Sequence, residues 1–343
     1  MIQQLIERYK RFRTGQYLAR TYECQYAFVG IGQHSLSNLY PVIQHLQIPL
    51  KYICVRSERK AKLIEKKFPN SKANTSIDEI LRDDAIKGIF VATSPASQFS
   101  IASQVLQSGK SLFVEKPPCL SMQELNKLIE HKQTFHSPIA MVGVQKRYAP
   151  AVQLLKKQIH KERLINYDLH YTTGAYPEGN AVFELYIHPI DLVCYLFGKP
   201  EIIAYHKIAL NSYVLMLRHP HIIGTLELST AYTWGSAEES LKVITHSGIY
   251  CLSQMDILTR EQKPSAIFGV PMEKVKRYNK TIDILSQRNN FVPSFANNQI
   301  YTQGFYNEIQ TFADAVEGKR VDLLTDFVSL RDTFMVMETL KKI

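Results

Sequence analysis

Short apolar segments alternate with helical segments between residues 24 and 147 of this 343-residue chain. The strand-like runs lie at 26–29, 52–55, 87–92, 111–114 and 139–144. Regular alternation of this kind predicts βαβ units, in which a helix connects each strand to a parallel neighbour. Because such crossovers are right-handed, we expect an open, doubly wound α/β sheet with a ligand crevice at the carboxyl ends of its strands.

The second half of the chain has a different pattern, which begins after a helix predicted at 149–159. Its strand-like runs are 164–172, 202–210, 213–218, 222–229, 241–246 and 249–253. Runs joined directly predict a mostly antiparallel, open sheet, here with one apolar helix at 184–196 and two further helices at 304–317 and 324–342. We therefore expect three parts, which are an N-terminal helical extension (1–23), an α/β domain (24–147) and an α+β domain (148–343).

Composition narrows the possible partners. The net charge is +10, but the lysines and arginines are scattered and no nucleic-acid motif accompanies them, so a phosphate-bearing small molecule is the expected partner. No apolar run reaches the roughly 18 residues that span a bilayer, and charges interrupt the first 20 residues. We therefore expect no membrane-spanning or secretory segment, and we expect a cytoplasmic location.

The five cysteines form no C-x-x-C pair and are expected to be free thiols. His219 and His221 flank Pro220 in a predicted turn, and we expect no metal site there.

A glycine motif follows the first predicted strand. Gly30-Ile31-Gly32-Gln33-His34-Ser35 lies between a strand and a helix, as in the dinucleotide-binding fingerprint of Rossmann domains, although Ser35 replaces the third glycine. Glycines at this turn let the backbone approach the pyrophosphate, and the helix N-terminus supplies free amides. No acid occupies the end of the second strand, where Arg56 and Ser57 could bind a 2′-phosphate. We therefore expect NADP in preference to NAD.

Two further motifs carry groups that can handle protons. Glu115-Lys116-Pro117 lies at the carboxyl end of a strand, where a lysine can reach a substrate oxygen. On the helix predicted at 184–196, Glu184, His188 and Asp191 share one face by their spacing. A carboxylate beside a histidine fixes its tautomer and raises its pKa, so these residues are expected to form an acid–base group.

These motifs occur together and in this order, and the chain resembles the glucose–fructose oxidoreductase / inositol dehydrogenase / MocA (Gfo/Idh/MocA) family over about residues 25–343. Further matches to the family are Ala92-Thr93-Ser94-Pro95, Val142-Gly143-Val144-Gln145-Lys146-Arg147-Tyr148, and Phe305-Tyr306-Asn307-Glu308 before Phe312. The sequence departs from the family at Glu184, where an Asp is usual, and at Gln98, where many members carry a histidine.

The resemblance implies a role for each matching residue. Lys116 would polarise the reacting oxygen, His188 would exchange the hydroxyl proton, and Glu184 would assist them. The residues expected to bind the cofactor are Gly30, Gly32, Gln33, His34, Arg56, Ser57, Thr93, Ser94, Pro95, Glu115 and Lys116. The residues expected to bind the substrate are Lys116, Arg147, Glu184, His188 and Asp191.

The implied reaction is reversible hydride transfer between NADP or NAD and a hydroxyl-bearing carbon of a sugar, polyol or sugar nucleotide. The resemblance also implies a homodimer or homotetramer assembled through the open sheet face. Two alternatives stay open at this point. One is an NAD-dependent glycoside hydrolase of the same fold, and the other is a non-catalytic scaffold or sensor that binds a dinucleotide.

Overall fold

The computed structural model describes residues 2–18, 21–264, 266–275 and 280–342. Over these ranges the helices α1 to α12 are Ile2–Leu18, Tyr40–His45, Glu58–Lys67, Ile77–Arg82, Pro95–Gln107, Met122–Thr134, Pro150–Ile159, Ala181–Glu184, Ile187–Phe197, Gln299–Thr302, Phe305–Val316 and Arg331–Lys341. The strands β1 to β16 are Gln25–Val29, Leu50–Cys54, Lys72–Asn74, Ile86–Val91, Ser111–Glu115, Ala140–Gly143, Leu164–Gly174, Glu201–Ala209, Ser212–His219, Ile222–Tyr232, Glu238–Thr245, Gly248–Ser253, Ile257–Gln262, Ala266–Ile267, Val270–Pro271 and Ile282–Gln287. None of the helices in these ranges is long and apolar enough to cross a membrane.

Strands β1 to β6 form a parallel sheet, called here the N-terminal sheet, with the order β3-β2-β1-β4-β5-β6. The strand order reverses between β1 and β4, which is the switch point where ligands bind in doubly wound sheets. Alternate side chains of the strands enter two apolar clusters, one beneath α4, α5 and α6 and the other beneath α2, α3 and α11. The predicted doubly wound α/β fold is confirmed.

Helix α11 lies far along the chain but completes one face of the N-terminal sheet. The ring of Phe312 meets Phe90 edge to face with centroids 5.0 Å apart, and it lies 5.7 Å from Phe113. The Tyr26 hydroxyl donates to the carbonyl oxygen of Ala313 at 3.2 Å. The first core therefore includes residues from beyond position 300, and the domain limits drawn at 23 and 147 stay a prediction.

The second sheet, called here the C-terminal sheet, has the order β16-β13-β12-β11-β7-β10-β9-β8. Its strands pair antiparallel except for β7 and β10, which pair in parallel, so the predicted mostly antiparallel sheet is confirmed. Helices α7 and α9 cover one face, where Tyr167 stacks on Phe197 with ring centroids 4.5 Å apart, and α12 packs on α9. The other face is open and exposes apolar side chains such as Ile203 and Ile223.

Several elements differ from the sequence-based expectation. The helix expected at 184–196 is divided into α8 and α9, because Leu185 and Tyr186 interrupt it. The last predicted helix begins at Arg331 rather than at 324. Strands β13 and β16 were not predicted, since they carry few consecutive buried apolar residues. The five cysteines are free and buried or half-buried, as expected.

Candidate active site

A cleft of about 510 Å³ lies along the carboxyl edge of the N-terminal sheet. The loops that follow β1, β2, β4 and β5 line it, and these are the strands on either side of the switch point. All of the residues predicted to bind the cofactor line this cleft, namely Gly30, Gly32, Gln33, His34, Arg56, Ser57, Thr93, Ser94, Pro95, Glu115 and Lys116. The structure therefore brings the predicted cofactor residues together, while their individual roles stay predictions.

The glycine turn after β1 has room for a phosphate group. Gly30 has φ +102°, and a Cβ on it would lie 2.1 Å from the carbonyl oxygen of Ala92, so this position needs glycine. A Cβ on Gly32 would meet no atom within 4 Å, which leaves open space in front of its backbone. The hydroxyl of Ser35 accepts from the Gly32 amide at 2.9 Å and donates to the Gly32 carbonyl at 3.0 Å. Ser35 thus fastens the turn at the place of the third glycine, and the cradle fits a dinucleotide.

The end of β2 presents basic and hydroxyl groups to the cleft. Arg56 and Lys60 are exposed there, and Ser57 precedes the first turn of α3. The Ser57 side chain makes no capping hydrogen bond to α3, so its hydroxyl is available to a ligand. A helix N-terminus also attracts anions through its partial positive charge. This corner of the cleft is suited to a phosphate group.

Lys116 directly follows β5 and reaches the last residue of α8. Its Nζ donates to the backbone oxygen of Glu184 at 2.7 Å. Burial lowers its pKa, and the nearby acids Glu115 and Glu184 oppose that shift. Gln98 is 1% exposed, and its Nε2 donates to the backbone oxygens of Glu115 and Pro117 at 2.5 and 2.6 Å. Gln98 therefore supports the backbone on both sides of Lys116.

Two acidic residues, Glu115 and Glu308, belong to the same part of the site. The Glu115 carboxylate accepts from the Lys116 amide at 3.2 Å, and its other oxygen lies 3.5 Å from Nε2 of His34. Glu308 on α11 is fully buried, and neither of its carboxyl oxygens has a hydrogen-bond partner among the described residues. Burial raises the pKa of Glu308 well above its usual value, and the charge of Glu115 adds to that shift. Burial and the neighbouring acids therefore favour the protonated form of Glu308.

His188 lies in the first turn of α9 and lines a second cavity of about 380 Å³. Its Nδ1 is buried and has no hydrogen-bond partner among the described residues. Burial lowers its pKa well below 6.5, and the positive charges of Lys116 and Lys146 lower it further. The expectation that a neighbouring carboxylate raises this pKa was wrong, because lysines rather than carboxylates surround the ring. The imidazole is consequently neutral at pH 7.

The two acids that were expected to flank His188 make other contacts. The Glu184 carboxylate accepts from the Tyr176 hydroxyl at 2.7 Å and from the Asn180 amide at 2.9 Å, so it fixes the turn before α8. Its main-chain oxygen, rather than its carboxylate, contacts Lys116. The interruption between α8 and α9 removes the helical spacing that placed Glu184 and His188 on one face.

Asp191 and Arg147 pair with each other in the interior. The guanidinium of Arg147 donates to both Asp191 oxygens, at 2.8 Å from Nε and 2.6 Å from Nη2. The two residues are 3% and 1% exposed, and neither lines the cleft or the second cavity. Their predicted contact with substrate is not favoured by this placement.

The second cavity contains groups that sequence reasoning missed. Nζ of Lys146 lies 2.5 and 2.6 Å from the two carboxylate oxygens of Glu239, and Trp234 is exposed at the rim. One signal was available for Glu239, which shares the inward face of β11 with Leu241 and Val243 by the alternation of a strand. An acid at such a position needs a buried partner.

A glycine turn at the switch point, a cleft formed by four strand ends, and basic groups at its far corner define a dinucleotide-binding site of the Rossmann class. Residues 24–158 match the model of the Gfo/Idh/MocA family, described as an oxidoreductase family with an NAD-binding Rossmann fold. The match supports the resemblance to this family that was inferred from the sequence.

Curated relatives match part of the chain. The inositol 2-dehydrogenase of Salmonella paratyphi B is 22% identical over 56% of this chain and 60% of its own length. The scyllo-inositol 2-dehydrogenase (NAD(+)) of Bacillus subtilis is 27% identical over 43% of this chain and 46% of its own length. The chain thus spans less than two thirds of the length of these relatives. A solved dehydrogenase from Chromobacterium violaceum superposes with a TM-score of 0.76 over 94% of this chain and 95% of its own, at 19% identity, which shows a shared fold.

Proposed function

We propose that the chain is an NAD(P)-dependent oxidoreductase that transfers a hydride between nicotinamide and a hydroxyl-bearing carbon of a sugar, polyol or sugar nucleotide. The observation that carries this proposal is the placement of Lys116 in the wall of the dinucleotide cleft and of His188 in the wall of the second cavity, close enough for the lysine charge to lower the pKa of the histidine. Two relatives named as inositol dehydrogenases support a polyhydroxylated substrate. The chemistry supplied by the bound nicotinamide is the acceptance or release of the hydride at the substrate carbon.

The residues of the chain would handle the proton and the orientation. Lys116 has a lowered pKa and is held by the Glu184 carbonyl, which leaves its remaining ammonium hydrogens free to bind and polarise a substrate oxygen. His188 is neutral at pH 7 and can accept the hydroxyl proton as the alcohol is oxidised. The same proton returns from His188 in the reductive direction. Each role requires a substrate that lies between the two side chains.

Glu184, Arg147 and Asp191 would act as positioning residues. Glu184 holds the turn before α8 through Tyr176 and Asn180, and its carbonyl holds Lys116. The buried pair of Arg147 and Asp191 fixes the start of α9, on which His188 lies. We therefore assign no substrate contact to the side chains of Glu184, Arg147 and Asp191.

The cofactor preference would be for NADP over NAD. Arg56, Ser57 and Lys60 line the corner of the cleft beside the N-terminus of α3, and no acid lies at the end of β2 to bond a ribose 2′-hydroxyl.

The proposed localisation is cytoplasmic and the proposed assembly is a homodimer or homotetramer through the open face of the C-terminal sheet. Exposed Ile203 and Ile223 on that face support an interface.

The first test is a pair of parallel titrations with NADPH and NADH, in which nicotinamide fluorescence reports binding. We expect tighter binding of NADPH, and an Arg56→Ser variant should lose about tenfold in NADPH affinity while NADH affinity stays within about twofold. Arg59→Ser is the matched control, since Arg59 is a basic neighbour on α3 that does not line the cleft. Equal loss for both nucleotides, or an effect of the control, would contradict the NADP assignment.

The second test concerns catalysis. Lys116→Met and His188→Gln should each lower kcat by about 100-fold or more, with NADPH affinity within about threefold of the parent protein. The reduced cofactor that accumulates is measured together with the oxidised sugar. Cleavage of a glycoside without net cofactor reduction would favour the hydrolase alternative, and unchanged kcat in both variants would refute the site.

A further inference from the structure

The second cavity has a different charge from the cofactor cleft. Among the described residues, Lys146 is the single lysine or arginine that lines it, and the carboxylate of Glu239 neutralises that charge at 2.5 and 2.6 Å. Their side chains are buried, with 7% and 9% of their surface exposed. The other charged lining side chain is that of Glu238, which is exposed. His188 adds no charge at pH 7, because burial lowers its pKa.

The cofactor cleft, in contrast, has three basic side chains along its wall. Arg56, Lys60 and Lys116 all line that cleft. Phosphate recognition in proteins depends on such unpaired cations and on backbone amides at a helix N-terminus. The second cavity has no cation of this kind to offer within the described residues, since Lys146 already has its counter-charge. A phosphate placed there would meet the negative Glu238 and lose its hydration without compensation.

Much of the remaining wall of the second cavity is polar but uncharged, although Ala237, Ile300 and Phe305 also line it. The amides and hydroxyls that line it come from Gln145, Thr172, Thr173, Gln254, Gln299 and Gln303. Such groups donate and accept hydrogen bonds at once, as a row of sugar hydroxyls requires. The Lys146 and Glu239 pair can do the same at its edges, because an ammonium donates and a carboxylate accepts.

One side of the cavity carries a flat aromatic platform. The indole of Trp234 lies over Gly174, where a Cβ would come within 2.3 Å of the ring. Its Nε1 donates to the carbonyl oxygen of Ala175 at 3.2 Å, and Tyr176 meets it edge to face at 6.5 Å. These contacts hold the ring in one orientation, and it is exposed where it lines the cavity. An aromatic face of this kind suits the apolar C–H face of a pyranose or cyclitol ring.

We infer that this cavity takes an uncharged polyhydroxylated ring, either a free monosaccharide or a cyclic polyol, and discriminates against phosphorylated and nucleotide-linked sugars. The inference rests on the proposed function and narrows its substrate class. The buried pair of Lys146 and Glu239 is the element that sets the discrimination, because the carboxylate keeps the lysine from acting as an anion site.

The test uses the fluorescence of Trp234, which is the single tryptophan of the chain and reports on this cavity directly. The full-length protein is titrated with myo-inositol, glucose, glucose 6-phosphate and UDP-glucose. We expect at least one uncharged ligand to change the emission saturably, with both charged ligands binding at least about tenfold more weakly. Tighter binding of glucose 6-phosphate or UDP-glucose than of both uncharged ligands would overturn the inference.

A charge variant tests the assigned element. Glu239→Gln leaves the Lys146 ammonium without its counter-charge, so the ratio of affinities should shift by at least about tenfold toward glucose 6-phosphate. Glu238→Gln, at an exposed position that tolerates substitution, should shift the same ratio in the same direction by a smaller factor. Glu201→Gln removes an equal charge from an exposed strand far from the cavity and should leave the ratio unchanged. An unchanged ratio in both cavity variants would overturn the assignment.

Cofactor reduction separates this inference from the proposed function. Reduction of NADP with a charged sugar as the better substrate would leave the proposed function standing and remove the inference. Binding of uncharged sugars to the cavity without any cofactor reduction would overturn the proposed function, and the substrate assignment would fall with it.

Discussion

Removal of the Asp191 carboxylate should destabilise the protein strongly. The carboxylate accepts two hydrogen bonds from Arg147 and one from the Thr333 hydroxyl at 3.0 Å. The guanidinium also donates to the carbonyl oxygens of Leu324 and Ser329, at 2.7 and 3.1 Å, so it is fixed from three sides. Asp191→Ala leaves this buried cation without a counter-charge. Breaking a buried pair in this way costs about 3–5 kcal/mol of the free energy of unfolding.

Urea denaturation followed by circular dichroism measures that loss. With an m-value of about 2–3 kcal/mol per molar urea, the midpoint should fall by about 1 to 2.5 M. A double variant, Arg147→Met with Asp191→Leu, replaces both charges with apolar groups of similar volume and should recover most of the lost stability. Asp84→Ala serves as the control, since Asp84 is an exposed surface acid.

The same variants separate a structural role from a substrate contact. If the pair acts by fixing α9, the double variant keeps KM close to that of the parent protein. A double variant as unstable as the single one would refute the ion-pair reasoning. A stable double variant with KM raised more than about tenfold would instead show that Asp191 or Arg147 binds substrate.

Three further predictions concern the site. The lowered pKa of His188 means that the unfolded chain binds a proton near pH 6.5 that the native chain does not, so stability is lost as the pH falls below about 6.5. The kcat/KM for oxidation should show no acid limb at pH 6.5 or above, and such a limb in the pH–rate profile would contradict this assignment. Gln98→Ala removes the hydrogen-bond donor of the backbone oxygens of Glu115 and Pro117, which should lower the free energy of unfolding by about 1–3 kcal/mol and lower kcat more than cofactor affinity. Gln98→His should lose less stability and less kcat. Equal melting temperatures and kcat values for all three proteins would exclude the supporting role of Gln98. Gly30→Ala places a Cβ 2.1 Å from the Ala92 oxygen at a positive φ, so a thermal melt should show destabilisation, and an unaltered melt with normal NADPH binding would disprove the strain at this turn.

The sequence predicted the N-terminal sheet well because its strands are buried on both faces. Runs such as Tyr26–Val29 and Ile89–Val91 are almost entirely apolar, and burial of both faces permits little else. The cofactor loops could be located for the same reason, since parallel strands end at one edge. Strands β13 and β16 were not predicted, because they lie at one edge of the C-terminal sheet and their apolar and polar residues alternate only weakly.

The partners of the charged residues could not be predicted from spacing alone. Lys146 and Glu239 meet across 93 positions of sequence, and no local pattern links them. Glu184 has the helical spacing to reach His188, but the bonds to Tyr176 and Asn180 turn its carboxylate away. Arg147 and Asp191 were expected to bind substrate because they match motifs of the family that the chain resembles, whereas tertiary packing pairs them with each other. Charge pairing depends on the folded chain, and periodicity cannot reveal it.

The position of α11 has a consequence for synthesis on the ribosome. Strands β1 to β6 are complete once residue 143 has been made, but the aromatic face around Phe90 and Phe113 awaits Phe312, which follows about 170 residues later. At about 5–20 residues per second, the nascent sheet would expose that face for roughly 8 to 34 s. During this interval the incomplete chain exposes an apolar surface of the kind that chaperones bind. Rapid translation or a slower chaperone cycle should therefore change the yield of folded protein more than its final stability.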